Sequence, residues 1–160
     1  MKIGVLFPSR FEDSGEFLAD ARAMEAAGID SVWMEDDGVG LDPLLALAAI
    51  AGSVHQVRLG LIRPSNSGTN VEHARRIETL QRLSRQRAIV GVAESGSVIA
   101  GGERWRRVEV PADREAWART VERSEPDIDG VLVPLDPRLL DILRHPEDAI
   151  DRPDLQLAQG

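Results

Sequence analysis

The sequence predicts an α/β fold, and within that class a parallel (β/α) barrel of the TIM type that is incomplete, with about five to six strands. Short apolar runs recur along the chain, and the first three are each followed by a segment with helical periodicity. This alternation favours a parallel sheet with right-handed crossovers. The 160 residues are fewer than the roughly 200 to 250 of a complete barrel, so we expect a shortened one.

Composition and length indicate one domain and exclude some partners. We expect a shortened barrel-like domain over residues 1–145 and a C-terminal tail over residues 146–160, which holds two prolines and little apolar content. The formal charge of −8 argues against nucleic-acid or anionic-membrane partners. No cysteine is present, which is typical of a reducing compartment. Since the first apolar run is too short for a signal peptide, we expect a cytoplasmic protein.

The first strand and helix are predicted at the start of the chain. Residues 3–7 form an apolar run that ends at Pro8, as expected for a strand buried on both faces. Asp13 and Glu16 resemble the capping box that begins a helix, and Gly28 is a typical helix end.

Three more strands follow with the same pattern. The second covers residues 29–34, and Asp42 followed by Pro43 predicts the next helix start. The third covers residues 57–62 and precedes a polar loop and a helix with one apolar face. A fourth buried strand is predicted over residues 88–92.

The pattern becomes less regular after the fourth strand. Three glycines and an alternation at Val108 and Val110 indicate a half-exposed strand. A helix is predicted over residues 112–123, followed by a buried strand over residues 131–133 and a helix that starts at Asp136.

Three consecutive carboxylates, Glu35, Asp36 and Asp37, follow the second strand. They allow three interpretations: a catalytic acid or base, a divalent-cation site, or a solvated loop. Neighbouring residues of a strand alternate between faces, so at most two of the three side chains point the same way. A Mg²⁺ or Ca²⁺ ion would need further oxygen ligands, such as Asp42.

Two other groups of residues carry weaker signals. The histidines lie on predicted helices or loops without the spacing of metal ligands, and we predict no metal site from them: His55, His73 and His145. A basic cluster surrounds Trp105 and consists of Arg104, Arg106 and Arg107. This cluster fits either a phosphate or nucleotide contact or a solvated, partner-facing strand.

Four stretches carry a resemblance to a known family: "MKIGVLFP", "AMEAAGIDSVWMEDD", "DPLLALAAIAGSVHQVRLG" and "HARRIETLQRLSRQRAIVGVAESG". In order and spacing they resemble the N-terminal half of the luciferase-like flavin oxidoreductases, over residues 1 to about 96. That family includes bacterial luciferase, flavin-dependent monooxygenases and deazaflavin-dependent dehydrogenases. In the fourth stretch, "SRQR" replaces the glycine-rich "SGGR" turn of the family.

The resemblance implies an oxidoreductase, similar to the luciferase-like monooxygenases, that uses reduced FMN or a deazaflavin coenzyme on a small organic substrate. The cofactor would lie across the carboxyl ends of the strands. The positions that the resemblance places against the cofactor are Leu61, Ile62, Ala93, Glu94, Ser95 and Gly96. The same residues also fit plain core positions and an ordinary glycine turn.

The resemblance also assigns candidates for proton transfer. It places an acid of the family on Asp36 and the histidine that commonly follows it on Asp37. The histidine is therefore absent from that position. An aspartate acts as a base near neutral pH only if its pKa is raised, and repulsion between neighbouring carboxylates is one way to raise it.

A second hypothesis is a barrel remnant that does not catalyse and instead binds a ligand or a partner. A chain of six strands lacks the late loops that hold the phosphate in many barrels. An incomplete sheet also leaves two edge strands with unpaired backbone groups. Both hypotheses therefore predict a homo-oligomer, most simply a dimer.

Overall fold

A computed structural model of the protein describes residues 1–68, 70–123 and 125–143. The α/β content predicted from the sequence is confirmed in these residues. The expected tail at residues 146–160 lies outside them.

The strands are β1 (Lys2–Leu6), β2 (Ser31–Glu35), β3 (Arg58–Arg63), β4 (Ala88–Glu94), β5 (Ser97–Ala100), β6 (Glu103–Arg107) and β7 (Gly130–Pro134). The helices are α1 (Ser14–Ala26), α2 (Pro43–Ala51), α3 (Val71–Leu83), α4 (Arg114–Glu122) and α5 (Leu139–Leu143).

The strands form a closed barrel in chain order, in which β7 pairs with β1. β1 to β4 are parallel, and so are the pairs β6–β7 and β7–β1. β5 is antiparallel to both of its neighbours. The predicted number of five to six strands is therefore wrong, and the predicted parallel direction is wrong for β5 but confirmed for the other described strands. Since the described strands close on themselves, the predicted edge strands are absent, and with them the original reason to expect a dimer.

Two tight turns explain the difference. The β4–β5 turn consists of Ser95 and Gly96, with φ of 32° and 84°, and the β5–β6 turn of Gly101 and Gly102, with φ of 58° and 83°. Two-residue turns with positive φ at both positions match the twist of paired strands and favour antiparallel hairpins. The glycines thus replace a helical crossover with a short meander. The strand expected around Val108 lies earlier in the chain, as β6, and Val108 follows its end.

Aspartates cap the first two helices, as the sequence predicts. Asp13 and Asp42 each accept hydrogen bonds from the backbone N–H groups of the first turn of α1 and α2. The last helix begins later than predicted, because Asp136 accepts a 2.9 Å bond from the N–H of Arg138 in the turn before α5.

The "SRQR" turn after α3 keeps a left-handed backbone without glycine. Arg85 and Gln86 have φ of 54° and 65°. Arg87 holds the neighbouring segment by donating hydrogen bonds to the carbonyls of Val54 and Val57, at 3.0 and 2.8 Å. These contacts fix the loop before β3 against the start of β4.

Two tryptophans fill the barrel interior. Trp33 and Trp105 are fully buried, and their ring centroids are 5.3 Å apart in an edge-to-face arrangement. Glycines that pair with these tryptophans on the neighbouring strands leave the space that the rings need: a Cβ atom at Gly60 would lie 2.1 Å from Trp33, and one at Gly130 would lie 2.5 Å from Trp105. A second apolar core lies between the barrel and the helices.

Ion pairs cover the amino end of the barrel. Glu103 pairs with Lys2 and, at 3.0 Å, with Arg58. The Arg58 guanidinium lies 5.5 Å from the centroid of the Trp105 ring. Burial alone would raise the pKa of Glu103, but the hydrogen bonds from Lys2 and Arg58 hold that pKa below its ordinary value. The interior is thus packed in the middle and covered by charges at this end.

Replacing Gly60 by alanine tests the packing of the interior. The added methyl group would collide with the fully buried Trp33, so we expect Gly60→Ala to lower the free energy of unfolding by about 3 kcal/mol. Urea unfolding followed by tryptophan fluorescence measures this change. Gly52→Ala is the matched control, because its Cβ would meet nothing closer than 3.6 Å. Equal stability of the two variants would contradict the packing described here.

Candidate functional site

A cavity of about 240 Å³ opens at the carboxyl end of the barrel. It lies where β1, β2 and β7 end, and we call it the mouth cavity. Its lining residues are Leu6, Phe7, Pro8, Ser9, Glu35, Asp37, Pro134 and Leu135. Active sites of barrel enzymes lie at this end, so the mouth cavity is the candidate functional site.

An ion pair crosses the barrel at the mouth. Arg107, at the end of β6, donates to both carboxylate oxygens of Glu35, at the end of β2, over 3.1 and 2.8 Å. The side chain of Arg107 is 32% exposed and that of Glu35 is 39% exposed. The backbone N–H of Arg107 donates to the carbonyl of Gly96. The pair therefore links opposite strands and remains in contact with solvent.

Asp37 orders the loop after β2. Its Oδ1 accepts hydrogen bonds from the backbone N–H groups of Val39 and Gly40, at 2.9 and 2.8 Å. The bonds from Gly40 and Val39 hold the pKa of Asp37 below its ordinary value. Ser9 and Arg10 act in the same direction. The rise in pKa expected from neighbouring carboxylates is therefore wrong for Asp37, which stays ionised near neutral pH.

Asp36 points to a different cavity from Asp37. Its backbone N–H donates to the carbonyl of Ile62, at 2.8 Å, which fixes the end of β2 to β3. The second cavity has a volume of about 220 Å³ and is lined by Asp36, Gly38, Gly40, Leu41, Asp42, Pro43, Leu44, His73 and Arg76. Asp42 and Arg76 form an ion pair at its wall. The three consecutive carboxylates thus do not form one cluster.

His73, on α3, is a candidate that the sequence did not single out. Its Nε2 is buried and has no hydrogen-bond partner among the described residues. Burial lowers the pKa of His73, Arg63 lowers it further, and the charge of Asp36 opposes both. The structure therefore brings a histidine to Asp36 from a helix, and only the tertiary fold reveals this.

The six residues predicted to contact a cofactor separate into two groups. Leu61 packs in the core between barrel and helices, and Ile62 packs inside the barrel beside Trp33, with both side chains buried. Ala93 is half-buried, and the three residues after it are exposed on the β4–β5 hairpin: Glu94, Ser95 and Gly96. Glu94, Ser95 and Gly96 are therefore accessible to a ligand, whereas Leu61 and Ile62 on β3 are not.

The basic cluster on β6 is engaged within the chain. Trp105 points into the barrel, while Arg106 forms an ion pair with Glu125 at 3.1 Å. Arg104 donates to the hydroxyl of Ser97 at 3.4 Å. These contacts account for two of the three arginines, and Arg107 is the one that faces the mouth.

No helix in the described part of the chain is long and apolar enough to cross a membrane.

Comparisons with known proteins give one family match and structures of similar fold. Residues 1–125 match the family described as luciferase-like monooxygenase. The long-chain alkane monooxygenase LadA has a similar fold, with a TM-score of 0.51 and 16% sequence identity over 60% of this chain and 31% of that chain. Riboflavin lyase RcaE, solved with a modified FMN and riboflavin, gives a TM-score of 0.49 and 20% identity over 60% and 30%.

The chain therefore spans about a third of the length of either structure. No curated protein matches it.

The titration of His73 tests the second cavity. We expect the pKa of His73 to lie below that of a histidine in an unfolded peptide, because burial and Arg63 disfavour the imidazolium. Asp36→Asn removes a favourable charge and should lower this pKa further, whereas Arg63→Gln should raise it. Histidine ring signals in an NMR pH series, assigned with His73→Gln, report all three values. A pKa of His73 that is unchanged in both variants would contradict the placement of Asp36 and Arg63 beside this histidine.

Proposed function

The chain belongs to the luciferase-like monooxygenase family, and we propose that it is an oxidoreductase that acts on a small organic substrate with reduced FMN or a deazaflavin coenzyme. The observation that carries the proposal is the mouth cavity, which the matched strands place where barrel enzymes keep their chemistry. The long-chain alkane monooxygenase with a similar fold is consistent with an apolar substrate.

The rim residues fit a flavin in part. The exposed hairpin of Ala93, Glu94, Ser95 and Gly96 offers backbone and side-chain groups to the edge of a ring system. The mouth cavity is smaller than the roughly 300 to 1,000 Å³ of typical ligand pockets, so it would take only part of the ring. Leu61 and Ile62 would support the rim from beneath. When bound, a reduced flavin or deazaflavin supplies the electrons.

The proton-transfer roles follow from the environments of the side chains. Asp37 has a lowered pKa, so its proposed role is that of an ionised group that stabilises positive charge. The pKa of His73 is lowered, which favours a neutral imidazole that can accept a proton, and Asp36 lies beside it at the second cavity. Asp37 is therefore the proposed site residue of the mouth cavity, and Asp36 with His73 is the proposed pair of the second cavity.

A second function, a barrel that binds a ligand or partner without catalysis, is favoured by one observation. Trp33 and Trp105 fill the interior, and the pair of Glu35 and Arg107 covers part of the mouth. Such packing stabilises a barrel without requiring a cofactor. The cytoplasmic location predicted from the sequence stays a prediction.

We also propose that the protein is a homodimer, now through an apolar surface on α2 and α3 instead of an open sheet edge. A groove of about 330 Å³ between these helices is bordered by Leu45 and Leu83, which are 68% and 57% exposed. Glu72 lies at the start of α3 and Arg82 at its end. An antiparallel pairing of two copies of α3 would place these opposite charges together, which fits a second copy of the chain.

Changing the charge of this surface tests the dimer. We expect Leu45→Lys to convert a dimer into a monomer, because a lysine would be desolvated in the interface, and light scattering measures the mass. Val39→Lys is the control, because Val39 is 72% exposed and lies outside the groove. A native protein that is monomeric at every concentration would contradict the proposal.

Binding of the cofactor tests the enzyme proposal. Titration of the protein with FMN and with the deazaflavin coenzyme, followed by absorbance and fluorescence, should show micromolar binding of one of them. Asp37→Ala should keep this binding and lose turnover. If neither coenzyme binds, the non-catalytic barrel becomes the better account. Unchanged turnover in Asp37→Ala would remove Asp37 from the site.

A further inference from the structure

Arg107 has the geometry of a carboxylate receptor at the mouth. Both of its terminal nitrogens bind one carboxylate, that of Glu35, over 3.1 and 2.8 Å. This two-point arrangement is the one in which a guanidinium recognises a carboxylate most specifically. A ligand with a carboxylate could take the same place.

The present partner of Arg107 is open to competition. About a third of each side chain is exposed, so a carboxylate from solution can reach the pair and solvent screens its attraction. The backbone of Arg107 is held independently, because its N–H donates to the carbonyl of Gly96 and its strand pairs with β7. Loss of the Glu35 contact would therefore leave the backbone of Arg107 in place, with its side chain still at the carboxyl end of β6.

The cavity beside this pair is small and largely apolar. Five of its lining residues have apolar side chains: Leu6, Phe7, Pro8, Pro134 and Leu135. The volume of about 240 Å³ lies below that of pockets for drug-sized ligands. The cavity thus suits the short hydrocarbon part of a ligand whose charged end reaches Arg107.

The other charges of the cavity do not exclude an anion. Asp37 lines it, but Oδ1 of Asp37 accepts two backbone N–H groups, and Arg10 lies near enough to lower its pKa. Glu35 is the carboxylate that competes directly for Arg107.

We propose that the mouth cavity binds a small organic acid, whose carboxylate pairs with Arg107 and whose apolar part contacts the cavity wall. Glu35 is the internal competitor that occupies Arg107 in the absence of the acid. The assignment of this acid as the substrate rests on the proposed function, whereas its binding does not.

Titration of the full chain with hexanoate, followed by NMR and calorimetry, tests the site. Hexanamide, which has the same shape without the charge, is the ligand control. We expect Glu35→Gln to bind hexanoate at least tenfold more tightly than the native protein, because the competitor has lost its charge. Arg107→Gln should bind hexanoate at least tenfold more weakly than the native protein. The affinity for hexanamide should be the same in the native protein and in both variants.

Arg106→Gln is the matched control, because it removes the same charge from the other face of β6, and we expect native affinity. If Arg107→Gln does not fold, Arg107→Lys replaces it and should bind more weakly, since lysine keeps the charge without the planar fork. Equal affinity of the native and Arg107 variants, or no gain in Glu35→Gln, would overturn the proposal.

A parallel titration with FMN and the deazaflavin coenzyme separates the two proposals. Arg107-dependent binding of hexanoate without binding of either coenzyme would support the acid site and overturn the oxidoreductase function. Binding of a coenzyme without Arg107-dependent binding of hexanoate would support the function and overturn the acid site.

Discussion

The packing of Trp33 against Trp105 inside a ring of seven strands is the constraint on which the rest of the structure depends. Two indole rings fill the interior only because Gly60 and Gly130 leave space for them. The closed sheet in turn satisfies the backbone groups of every described strand, so no edge needs a cover. Because the interior is filled, any chemistry must take place at the rim.

The two ends of the barrel use charge differently. At the amino end, Glu103 is held by Lys2 and Arg58 and its pKa is lowered, which is typical of a structural ion pair. At the carboxyl end, Glu35 and Arg107 form a single pair beside a cavity. The first arrangement stabilises the fold, whereas the second places a partly exposed ion pair beside a cavity. This asymmetry agrees with the location of function in barrels.

Local patterns predicted the first four strands and the starts of α1 and α2, because apolar periodicity and capping by Asp13 and Asp42 depend on near neighbours. The family resemblance covers the same four strands. The two hairpins were missed although Ser95-Gly96 and Gly101-Gly102 are typical hairpin dipeptides. The contacts of His73 with its cavity, and the pair formed by residues 72 positions apart, depend on tertiary structure and leave no local signal.

The strand pairs of the closed barrel differ in the entropy that is lost when the chain between them closes into a loop. The two hairpins join residues close in the chain, and the parallel pairs β1 to β4 require one helical crossover each. The last pair joins Lys2 to Gly130, so it encloses most of the described chain in one loop. Loop entropy grows with that separation, so the β1–β7 pairing carries the largest loop-closure cost of the described strand pairs.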